Sequence, residues 1–88
     1  MNHRAKMFDA ISHIIEEAGK DDPAYDNFQK AADVLEILES LSAYTLFTIC
    51  QTTDQVRDVC EESYMNMKRQ ALRLMYKRLE EEKVAAAS

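Results

Sequence analysis

An all-α fold is expected from three features of this sequence. It holds one glycine and one proline in 88 residues, 47% of it is apolar, and the apolar residues recur at helical spacing. A sheet of several strands needs turn formers at each hairpin, which one glycine and one proline cannot supply. The apolar share is too high for a disordered chain. The expected architecture is a single domain over 1–88: a three-helix antiparallel bundle with a long helix 2–helix 3 hairpin, dimerising. A chain of this length buries only roughly 60–65% of its unfolded surface. Pairing is the natural way to bury more.

The first helix is expected over 3–18. Met7, Ile11, Ile14, Ile15 and Ala18 form one apolar stripe, and Gly19 is the natural stop because it tolerates positive φ. The second helix is expected over 23–51, with Asp22 as N-cap and Pro23 in the first helical position. Two adjoining stripes run along it, one through Phe28, Ala32, Leu35, Leu38 and Ile49, the other through Val34, Ile37, Leu41 and Tyr44. So wide an apolar arc suits a helix lying between neighbours. Residues 43–50 are rich in β-branched and aromatic types, but a lone strand would have nothing to pair with. A break near Ser40–Ser42 is the one interruption the pattern allows.

Thr52 and Gln55 have capping-box spacing and open the third helix, expected over 54–83. Val56, Cys60, Tyr64, Met67, Ala71 and Met75 share a face that Leu72, Tyr76 and Leu79 widen, and residues 84–88 read as a frayed tail. Met65, Met67 and Met75 read as core. Folding the chain about Thr52 sets Phe28 against Met75, Tyr25 against Leu79, Ala32 against Leu72 and Ile49 against Val56. Apolar meets apolar in each layer.

Net charge is −5, which argues against a nucleic-acid binder needing clustered cations. The exception is a basic stripe, Lys68, Arg69, Arg73, Lys77 and Arg78, with no acidic residue between its ends. In the hairpin register it faces Asp26, Asp33, Glu36 and Glu39, so it is expected to be neutralised there. No apolar run is long enough to span a membrane, and the basic N-terminus is interrupted too early by Asp9 to read as a signal peptide. Cys50 and Cys60 lack zinc or disulfide spacing, which points to a reduced, cytoplasmic protein.

No catalytic constellation is present. Gly19 is the sole glycine, so a glycine-rich phosphate loop is excluded, and Cys60 has no histidine near it in sequence. Asp9, His13 and Glu17 share a helix face and are the nearest approach to a metal site; three ligands on one helix without supporting partners are better read as a solvated face. No enzyme activity, cofactor or metal is expected. What the bundle leaves over is an apolar end, because the first helix reaches only to about residue 39 of the second. Leu41, Tyr44 and Phe47, with Tyr64 or Met65 across the turn, are the expected partner-binding residues, rimmed by Glu36, Glu39, Asp54 and Asp58. The expected function is that of a small inhibitor, adaptor or chaperone that docks a helical face on another protein. The alternatives are a nucleic-acid regulator using the basic stripe, and an acidic mimic that blocks a nucleic-acid-binding protein.

Overall fold

The structure, a computed structural model, describes residues 2–87. Its elements are α1 (His3–Glu17), α2 (Asn27–Ile49) and α3 (Thr53–Ala87), and no strand occurs among the described residues. The chain is all-helical. It divides into two compact units, the first reaching to Ser42 and the second starting at Ala43.

Each helix end has a chemical cause. Asn2 caps α1, its Oδ1 accepting the Ala5 N–H at 3.2 Å and its carbonyl the Lys6 N–H at 3.3 Å. At the other end the Ala18 N–H donates to the Ile14 carbonyl at 3.0 Å. Gly19 then turns the chain with φ +73°, the only positive φ among the described residues. A methyl group at Gly19 would run into the Tyr25 ring, so the position is restricted by space as well as by backbone conformation.

Helix α2 begins four residues later than the Asp22–Pro23 pattern suggests. Asp22 instead holds the turn. Its Oδ1 accepts the Ala24 N–H at 3.0 Å and its carbonyl the Tyr25 N–H at 3.1 Å. The cap is Asp26, whose Oδ1 accepts the Gln29 N–H at 2.7 Å. Two aspartates can each satisfy orphan N–H groups, and the later one leaves Tyr25 outside the helix, free to turn back on Gly19.

Helix α2 is unbroken through Ser40–Ser42, although the division between the two units falls there. The β-branched stretch stays helical to Ile49, where the Cys50 N–H closes the last turn on the Leu46 carbonyl at 2.9 Å. Thr52 and Gln55 then start α3. Thr52 Oγ1 accepts the Gln55 N–H at 3.1 Å, and Gln55 Oε1 accepts the N–H of Gln51 at 2.7 Å. The reciprocal bond thus lands one residue before the capping-box position. Helix α3 continues beyond Lys83 to Ala87, because Val84 and three alanines contain nothing to stop it. Ser88, the last residue of the expected tail, lies outside the described residues.

No described side chain is buried. In the first unit Ser12, Ile15, Tyr25, Lys30, Asp33 and Val34 are half-buried, and in the second Leu46, Cys50 and Val59. Positions read from sequence as core stand in solvent instead: Phe28 is 88% exposed, and Met65, Met67 and Met75 are exposed as well. The chain presents 8282 Å² to water.

Two substitutions test the turn and the cap. Gly19→Ala should destabilise by about 1–2 kcal/mol, through positive φ and the clash with Tyr25. Asp26→Ala should cost about 1 kcal/mol by removing the cap of α2. Urea unfolding followed by circular dichroism measures both, and an unchanged midpoint for Gly19→Ala would contradict the turn geometry.

Candidate functional site

The first unit holds the densest polar chemistry in the chain. The Tyr25 hydroxyl donates to Asp33 Oδ2 at 2.6 Å, joining the turn to the second turn of α2. That bond raises the phenol pKa above the ordinary tyrosine value; partial desolvation and the Asp33 charge push the same way. Lys30 Nζ donates to the Glu16 carbonyl at 3.2 Å, satisfying one of the acceptors left over at the C-terminus of α1 and placing a cation at the negative end of its dipole. Lys20 and Glu17 pair at 2.9 Å alongside.

These contacts frame an apolar groove of about 270 Å³. Ile11, Ile14, Ile15 and Ala18 form one wall; Val34, Ile37, Leu38 and Leu41 form the other. Tyr25, Lys30 and Asp33 supply its polar atoms. The α1 stripe legible in the sequence is therefore one wall of a groove.

Of the partner-binding residues expected from sequence, Leu41 lies in the first unit and lines this groove. Tyr44 and Phe47 follow it at three-residue steps on α2 but belong to the second unit, where they are 70% and 77% exposed. Tyr64 and Met65, on α3 in the same unit, are also exposed. Glu36 and Glu39 stand on the first unit, Asp54 and Asp58 on the second, all exposed, and Asp54 is engaged by Arg57 at 3.2 Å.

The basic stripe lies on α3, in the second unit. Lys68, Arg69, Arg73, Lys77 and Arg78 are all exposed, and none makes an ion pair among the described residues, where the two pairs found join residues three apart in sequence. Arg78 instead donates to Met75 Sδ at 2.9 Å. Charge is also divided unevenly. Nine acidic residues face four basic ones up to Ser42, against seven of each from Ala43 onward.

Nothing in the sequence pattern points to the Tyr25–Asp33 bond. Eight residues is not a helical contact spacing, so only the turn brings the two together. Tyr25, read as a partner for Leu79, is occupied with Gly19 and Asp33. Among the described residues no three His, Cys, Asp or Glu side chains converge as metal ligands, Asp9, His13 and Glu17 included. Cys50 and Cys60 are free thiols, and no described helix is long and apolar enough to cross a membrane. Comparison with protein-family models, with curated proteins and with solved structures returns no match.

The raised Tyr25 pKa has a pH signature. A folded pKa above the unfolded one stabilises fully below the ordinary tyrosine range, and this stabilisation is lost as pH rises through the folded value. Tyrosinate absorbance should show one of the four tyrosines ionising late, and Tyr25→Phe should remove that late step. The stability gap between wild type and Tyr25→Phe should narrow above that pH. Four tyrosines titrating together would contradict the bond to Asp33.

Proposed function

We propose that this chain is a non-enzymatic helical protein-binding module, of inhibitor, adaptor or chaperone type, acting in the reducing cytoplasm. In this reading it works as an antiparallel three-helix bundle that dimerises. It grips its partner through Leu41, Tyr44 and Phe47 with Tyr64 and Met65, and the acidic residues Glu36, Glu39, Asp54 and Asp58 steer the approach. The observation that carries the reading is the exposure of Tyr44 and Phe47, two aromatic rings one helical turn apart. Aromatic side chains offer a large apolar area at low conformational cost and dominate the energetics of many protein interfaces. Uncovered apolar patches on small domains usually mark contact sites. The free thiols fit a reducing compartment.

The bare basic stripe supports a second reading, that of a nucleic-acid-associated regulator. Five exposed cations without ion pairs are what phosphate contact requires. The chain's net charge of −5 opposes it, so protein docking stands first.

The test compares wild type with Tyr44→Glu and Phe47→Glu as baits. A partner held by wild type should bind at least tenfold more weakly to either variant, since loss of a central aromatic anchor typically costs about 2 kcal/mol or more. Helicity should be unchanged in both. Equal binding by wild type and both variants would remove these rings from the site. Salt-sensitive retention of a DNA or RNA oligonucleotide, lost in Arg69→Glu/Arg73→Glu, would favour the second reading.

A further inference from the structure

We propose that each α1–α2 unit is completed by the C-terminal half of α3 from a second copy of this chain, the two copies exchanging these helices about a two-fold axis. This rests on the dimeric three-helix bundle proposed above and shares Met65, Glu36 and Glu39 with its docking surface, but it does not use the aromatic anchors Tyr44 and Phe47. Two faces of opposite charge carry it. On α2, Phe28, Ala31, Leu35 and Leu38 recur at steps of three and four and lie in solvent, bordered by the exposed carboxylates Glu36 and Glu39. On α3, Met65, Leu72, Tyr76 and Leu79 form an apolar strip, also in solvent, bordered by Arg69 and Arg73. The first face belongs to the acidic unit of the chain, and the second lies within the longest stretch that carries cations and no carboxylate, residues 63–79.

Helix length favours a second copy over the same chain as the source of the cover. At 1.5 Å per residue, α3 with 35 residues is about 52 Å long and α2 with 23 about 35 Å. In a hairpin closed on residues 50–52, α3 from about Tyr76 onward would run past the start of α2 at Asn27. Tyr76 would then reach only the Phe28 end of that face, and Leu79 would lie beyond it. A helix from another copy has no such limit and can slide until Arg69 and Arg73 meet Glu36 and Glu39. Because each copy carries one face of each kind, a two-fold axis makes both contacts at once and closes the assembly.

Light scattering of the full chain over a micromolar to millimolar series, with no partner present, tests this. Wild type should be a dimer that weakens as salt is raised. Glu36→Lys/Glu39→Lys and Arg69→Glu/Arg73→Glu should each associate at least tenfold more weakly alone. Their equimolar mixture should recover the dimer, because one contact then pairs the reversed charges with each other and the other keeps the native pair. A wild type that stays monomeric, variants that dimerise like wild type, or a mixture that stays monomeric would each overturn the proposal. A second measurement needs no variants. Carbodiimide cross-linking of mixed light and heavy-isotope wild type should join Glu36 or Glu39 of one copy to Lys68 of the other, and links confined to chains of one isotope would overturn it too.

Discussion

Apolar side chains stabilise a fold only in so far as something removes them from water, at roughly 25 cal/mol per Å². That constraint governs this protein, because no described side chain is buried. What holds the helices in the structure is local: caps at Asn2, Asp26 and Thr52, runs of good helix formers, and ion pairs between near neighbours. Local terms of this kind leave an isolated helix marginal in water. The faces bearing Phe28, Leu35, Tyr44, Phe47 and Tyr76 therefore hold most of the stability still to be gained. Docking to a partner and exchange between copies are two ways of gaining it.

The first unit shows how one backbone feature organises several side chains. Positive φ at Gly19 turns the chain, and the absence of a side chain there leaves room for the Tyr25 ring. Tyr25 then reaches Asp33, while Lys30 closes on the Glu16 carbonyl. Each bond joins the first helix or its turn to α2. Together they explain why Tyr25, Lys30 and Asp33 are half-buried although most of the unit is not.

Charge links the competing readings of the basic stripe. Cations committed to Glu36 and Glu39 of another copy are unavailable to phosphate, so self-association and nucleic-acid binding through Arg69 and Arg73 exclude each other. Both would weaken with salt, which makes salt dependence alone a poor discriminator. The aromatic pair Tyr44 and Phe47 lies outside this competition, since apolar contact is little affected by ionic strength.

Much of the local structure was legible because its signals are short-range. Three helices, a stop at Gly19 and a start at Thr52 depend on residues within one turn of each other, where sequence spacing and spatial neighbourhood coincide. The choice of Asp26 over Asp22 as cap was not legible: both are chemically competent, and the outcome depends on where the Tyr25 ring packs. The Tyr25–Asp33 bond and the groove escaped for the same reason, since they exist only once α1 is folded beside α2. Candidate docking residues could be named from periodicity, but periodicity reports which side chains want cover and not which receive it. The sequence by itself determined the three helices, the start at Thr52 and the sign of charge on each segment, all set by neighbours along the chain. Tertiary structure alone decided that Phe28, Tyr44 and Phe47 stand in water while Tyr25 and Asp33 are half-covered, because burial depends on residues distant in sequence.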